Sequence, residues 1–277
     1  MRPVDIYLMP FAGVGHFSAL GKVYRRFRFR RPLTVLIVAM GVGMAALFSS
    51  RSLVAQSHAS ISENRVVASP IVVGFLGGFV RADDRRHGEV PMAERLRTAY
   101  GDRVHVRLFE NRERARAHDA ILHWLDNNRD SRLSSQEKQN AQIILFGHSW
   151  GASAMISLAR ELQAEDIPVL LTIQVDSIRH GEDDSVIPAN VAEAINFYQS
   201  SGFLHGQSKI TAADPSRTKI LGNFRLQYEK EPDECRTYPW FDRVLSKGHI
   251  AIDCDPLLWA RVEGLIRTRL QPVAQPQ

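Results

Sequence analysis

The stretch IILFGHSWGASA, residues 143–154, places a serine between two glycines where an apolar run ends and a helix-like run begins. Gly147, Ser149 and Gly151 satisfy Gly-x-Ser-x-Gly. The flanks matter more than the letters, because a strand running in and a helix running out define a sharp turn that lifts the serine hydroxyl off the end of a sheet. Glycines belong there because strand and helix approach too closely for a Cβ. An ordinary serine at a tight turn is the other reading, and it requires no partners elsewhere in the chain.

The chain supplies the sheet that such a turn needs. From about residue 69, apolar runs alternate with amphipathic ones. SPIVVGFLGG reads as a strand and glycine-rich turn, VPMAERLRTAY as a helix, RVHVRLF as a strand and RARAHDAILHWL as a helix. AQIILFG then reads as a strand, WGASAMISLARELQ as a helix, IPVLLTIQVDS as a strand, and IPANVAEAINFYQSS and PLLWARVEGLIRTRL as helices. PIVVGF, QIILFG and VLLTIQV are nearly continuous in apolar residues, as strands are when helices cover both faces of a parallel sheet. The expected fold is α/β, three layers around a mostly parallel central sheet. Residues 202–248 mix turns with short β-like runs and read as irregular loops with one hairpin, and no internal repeat is apparent.

Ahead of that domain stands a different kind of segment. Residues 1–32 carry seven basic groups against the single acid Asp5, and Leu33–Phe48 follow with no charge and only Thr34 polar. As a helix those sixteen residues span about 24 Å, between a long signal-peptide core and a short membrane anchor. The reading is a basic cytoplasmic region 1–32, a membrane-targeting helix 33–50, a linker 51–68, the α/β domain 69–271 and a tail 272–277. Arginines ahead of the segment hold the N-terminus in the cytoplasm and place the domain outside it. Retention makes a single-pass membrane protein; cleavage after Ala55 or Ala59 makes a secreted or periplasmic one. The 32-residue basic region is long for a signal, which makes Met9 an alternative start. The rest of the chain holds 28 basic and 29 acidic side chains, so it lacks the basic footprint that nucleic-acid binding requires. Cys235 and Cys254 are the only cysteines, free to pair in an oxidising compartment or to stand as separate buried thiols.

A serine alone is a poor nucleophile, so a base and an orienting acid are expected further along the chain. Asp176 ends the strand after the serine turn, and parallel strands deliver their C-terminal ends to one side. Asp184, beside Asp183 on the following loop, is the reserve. His249 is the expected base, in a loop just ahead of the last helix, with Gly248 giving the backbone freedom. His123, His148, His180 and His205 fit that role less well by position. The oxyanion of a tetrahedral intermediate needs two amides: that of Trp150 and one from the turn GFLGGFV, at Leu76 or Gly77.

With these residues in order the chain resembles the α/β-hydrolase superfamily, at its lipase, esterase and thioesterase end. The resemblance covers about residues 69–270 and is carried by GHSWG, the strand-terminal VDS and the late GHIAID. It implies a serine hydrolase acting on a small-molecule or lipid ester or thioester through an acyl-enzyme, with no organic cofactor. No HGGG precedes the oxyanion turn, and no cap domain is evident. A non-catalytic binding module on the same fold and an acyltransferase are the alternatives.

Upstream of the serine strand, DNNRDSRLSSQE (residues 126–137) sets Asp126, Asn128, Asp130, the Arg132 carbonyl and Glu137 at the spacing of an EF-hand Ca²⁺ loop. Ser131 stands where glycine normally makes the turn. The other reading is a solvated loop whose Asp and Ser cap helices.

Overall fold

Three apolar runs, IVVGFL, IILFGH and VLLTIQV, lie side by side in the middle of one sheet, buried along nearly their whole length. A computed structural model of the protein describes residues 68–270. The basic region 1–32, the membrane-targeting helix expected at 33–50, the linker up to residue 67 and the tail 272–277 lie outside the described residues. Among the described residues no helix is long and apolar enough to cross a membrane.

In chain order the elements are β1 (Ile71–Leu76), α1 (Glu89–Tyr100), β2 (His105–Glu110), α2 (Arg114–Leu125), α3 (Ser135–Gln139), β3 (Ile143–His148), α4 (Trp150–Ala164) and β4 (Val169–Val175). They continue with β5 (Val186–Ile187), β6 (Val191–Tyr198), β7 (Thr211–Ala212), β8 (Lys219–Arg225), α5 (Trp240–Leu245), α6 (Lys247–Asp253) and α7 (Pro256–Arg269). The main sheet has the order β2-β1-β3-β4-β6-β8, and every neighbouring pair is parallel.

Alternate residues of the strands feed two separate cores, which is why the runs are apolar throughout. Val72, Ile144, Phe146 and Ile173 pack beneath α1 and α7 with Met92, Leu96, Trp259 and Val262. Ile71, Val73, Phe75, Ile143 and Leu145 pack on the other side beneath α2 and α4 with Ile121, Leu125, Ile156 and Leu162. Each fully buried side chain of this size contributes about 1.5–3 kcal/mol. The chain leaves β1 outward to β2 and then returns across it to β3, so the strand order reverses between β1 and β3. Loops separate at such a reversal and leave a crevice at the C-terminal strand ends.

Three expectations are corrected here. IPANVAEAINFYQSS contains β6, not a helix: Val191, Ala194, Ile195 and Phe197 are buried between β4 and β8. Its Ala-Glu-Ala spacing mimics a helical period, but sheet partners on both sides decide the matter. Residues 202–248 hold no antiparallel hairpin among the described residues. Instead β8 extends the main sheet in parallel, and β7 pairs in parallel with β5. His249 lies within the short helix α6 rather than in a loop. Gly248 there provides close approach, not freedom: a Cβ would collide with Gln199 and come within 2.7 Å of the Ser201 carbonyl oxygen.

Cys235 and Cys254 form a disulfide across 19 positions, so the paired reading holds. It ties the turn ahead of Tyr238 to the end of α6, whose folding positions His249. Closing a loop of about 20 residues contributes about 3 kcal/mol in the chain-entropy model. Cys254→Ser is therefore expected to lower unfolding free energy by about that amount in denaturant titration; a variant as stable as the wild type would show that the loop is held by packing alone.

Candidate active site

Ser149 joins β3 to α4 at φ 56° and ψ −127°, a conformation that costs a non-glycine residue about 1–3 kcal/mol and persists only where its surroundings impose it. They do so through the backbone. Its N–H donates to Val175 O at 3.0 Å, and its carbonyl accepts from Ala152 N at 3.1 Å and Ile178 N at 3.3 Å. A Cβ on Gly147 would lie 2.7 Å from Ala152 N, and one on Gly151 would lie 2.8 Å from the Leu76 carbonyl carbon. Both glycines of the motif are thus required by close approach.

His249 meets this serine from α6. Its Nε2 is 3.0 Å from Ser149 Oγ, and its Nδ1 is 2.7 Å from Asp176 Oδ2. Asp176 follows β4 and is fully buried, with its remaining acceptor positions occupied. Gln199 Nε2 donates to Oδ2 at 2.8 Å, while Gly206 N and Gln199 N donate to Oδ1 at 2.7 and 3.2 Å. Burial pushes the Asp176 carboxyl up, but the hydrogen bonds from His249 and Gln199 and the attraction of the imidazole outweigh it and hold the group below its ordinary range. An ionised Asp176 fixes the proton on His249 Nδ1 and leaves Nε2 free to accept from the serine hydroxyl.

The reserve acid is elsewhere. Asp184 is buried against the Ser177 hydroxyl, and burial raises its pKa. Asp183 is exposed and accepts from Ser185. Gln199, which orients Asp176, was missed because its segment reads as a helix. His148, inside the motif, was set aside as a base, yet its ring stacks on His249 with centroids 4.6 Å apart. His180 stacks on Trp150 at 4.9 Å and His123 remains on α2. His205 lies after β6, near Asp176 through its neighbour Gly206.

Ser149 and His249 open on a cleft of about 250 Å³, lined by Gly77, Val80, Trp150, Ile178, Leu204 and Ile250 among others. Its apolar walls suit a hydrocarbon group better than a charged one. Gly77 and Trp150, two of the expected oxyanion positions, both face it. Leu76 is the fully buried last residue of β1.

The loop at 126–137 is closed by its own hydrogen bonds. Asp126 accepts from Asp130 N and Ser131 N at 3.2 and 2.9 Å, Asn128 Oδ1 accepts from Asp130 N at 3.0 Å, and Asp130 accepts from Arg132 N at 2.8 Å. Glu137 spends its oxygens on the amides of Asn127 and Ser134, both at 2.9 Å, and completes a capping box at the start of α3. Ser131 does adopt the left-handed backbone that the turn demands, at φ 64°. Only Ser134 and Glu137 cap a helix; the bonds of Asp126, Asn128 and Asp130 stay within the loop.

No family model matches this chain, and no curated protein matches it. Among solved structures it is similar to the RedJ thioesterase of the prodiginine biosynthetic pathway in Streptomyces coelicolor. The identity is 12% over 75% of this chain and 92% of that one, with a TM-score of 0.38. A second structure of RedJ, with a polyethylene glycol molecule in its active site, gives 13% identity over 68% and 93% of the chains and a TM-score of 0.31. At these scores the likeness adds nothing to the geometry already described.

Proposed function

We propose that this chain is a serine hydrolase of the α/β-hydrolase kind, cleaving a carboxylic ester or thioester through an acyl-enzyme. The observation that carries this reading is the continuous chain Ser149 Oγ, His249 Nε2 and Nδ1, Asp176 Oδ2, with links of 3.0 and 2.7 Å. Ser149 attacks the substrate carbonyl as His249 takes its proton. The amides of Trp150 and of the Leu76–Gly77 turn receive the oxyanion, and His249 then protonates the departing alcohol or thiol. Water, activated by the same imidazole, releases the acid.

The apolar cleft favours an acyl chain or a lipid ester as substrate. The basic region 1–32 ahead of Leu33–Phe48 favours a domain held outside the cytoplasm, tethered or released, and the Cys235–Cys254 bond suits an oxidising compartment.

A fluorophosphonate probe is expected to label the full chain at one site and to leave Ser149→Ala unlabelled. Labelling that persists in the variant, or fails in the wild type, would point instead to a hydrolase-like binding module. A series of thioesters and esters of graded acyl length then defines the substrate, and product partition between water and added alcohol separates hydrolase from acyltransferase.

A further inference from the structure

Beside the His249 ring lies a group of ionisable side chains that the proposed reaction does not use. Glu89, the first residue of α1, and Asp253, the last of α6, are 0% and 1% exposed. Asp253 Oδ2 bonds to His87 Nδ1 at 2.6 Å and accepts from the Tyr238 hydroxyl at 2.8 Å. Its other oxygen, and both oxygens of Glu89, receive no well-formed hydrogen bond, and the Glu89 carboxyl faces Asp253 and its own backbone N–H. Orphaned buried carboxylate oxygens cost several kcal/mol unless something positive or a proton meets them.

The orphaned atoms converge. His148 Nδ1 is 3.9 Å from Glu89 Oε1 and 3.8 Å from Asp253 Oδ1, too far for hydrogen bonds. One donor atom each from His87, Glu89 and Asp253 also lie within 4.8 Å of one another. A tetrahedral ion with bonds of about 2.0–2.2 Å sets its donors about 3.3–3.6 Å apart, so these atoms must draw together by up to about 1.5 Å to share one coordination sphere. His87, His148 and Asp253 also line the cleft at Ser149, which gives an ion a path from solvent.

We propose that Glu89, Asp253, His87 and His148 form a binding site for a divalent cation of the zinc class. Two imidazoles with two carboxylates suit a borderline ion better than the all-oxygen sets of calcium or magnesium. Binding displaces the His87 proton, neutralises both buried carboxylates and fastens the start of α1 to the end of α6. It also fixes His148, and through the stacked rings the orientation of His249. The competing occupant is a proton shared between Glu89 and Asp253. Burial and the neighbouring Asp253 charge push the Glu89 carboxyl well up, which reflects the same shortage of positive charge.

The test is metal content, so it stands or falls separately from the hydrolase reading. Full-length protein made without a polyhistidine tag and dialysed against metal-free buffer is expected to hold about one zinc per chain by elemental analysis. Zinc chloride added to chelator-stripped wild type is expected to raise the melting temperature by several degrees, and Glu89→Gln is expected to lose both bound zinc and that response. Metal-free wild type that shows no shift with zinc, manganese or calcium would overturn the proposal in favour of the shared proton. Equal zinc in Glu89→Gln and wild type would overturn it by placing the metal elsewhere. The wild-type titration decides the matter even where the variant fails to fold.

Discussion

Ser149→Ala and His249→Ala are each expected to lower kcat by about 10⁶ on a thioester or ester that the wild type cleaves, and the double variant is expected to lose little more. The two groups act as one unit: without His249 the serine keeps its proton, and without Ser149 the imidazole has no nucleophile to activate. The 3.0 Å Nε2–Oγ link and the burial of both side chains leave bulk water a poor substitute for either. Residual cleavage is expected from the cleft and from the amides proposed for the oxyanion, near Gly77 and Trp150. Steady-state kinetics on the three variants checks this. Losses that multiply in the double variant would mean that the two residues act independently, contrary to the hydrogen-bonded chain.

Asp176→Asn is expected to lower kcat by about 10⁴ while leaving KM close to its wild-type value. The Oδ1 acceptor for Gly206 and Gln199 survives the change, so the loop geometry is retained. The new amide nitrogen, however, would face two donors, His249 Nδ1–H and Gln199 Nε2. His249 escapes by moving its proton to Nε2, where it can no longer accept from Ser149. A pH consequence accompanies this. Because Asp176 is held below its ordinary range, its network stabilises the fold fully above the unfolded carboxyl value of about 3.9 and loses that contribution as pH falls through the lower folded value. Melting temperatures measured below about pH 4 should therefore fall less steeply in Asp176→Asn than in wild type. Parallel slopes would show that other carboxylates govern acid unfolding.

The residues most legible before folding were those whose chemistry is local. GHSWG announces its turn because both glycines and the serine lie within five positions, and the structure uses each glycine for a close approach. Asp176 and His249 could be ordered along the chain because parallel strands end on one side, although α6 itself was not anticipated. β6 could not be read from its pattern, since Ala194, Ile195, Asn196 and Phe197 are buried on both faces and carry no alternation to distinguish them from a short helix. Gln199 and Gly206 had no signal either: their role is to meet a carboxylate 23 and 30 residues away.

Sequence alone determined the layered α/β class and the turn at Ser149, because hydrophobic period and glycine sterics act over a few residues, and it ordered Asp176, with Asp184 in reserve, and His249 behind that turn. Tertiary structure alone decided that His249 rides on a disulfide-tied helix, that His148 stacks against it, and that Glu89 and Asp253 converge from opposite ends of the domain. Those relations depend on burial and distance between segments from 19 to more than a hundred positions apart. Desolvation there sets the charge state of each group, and no local pattern of residues records it.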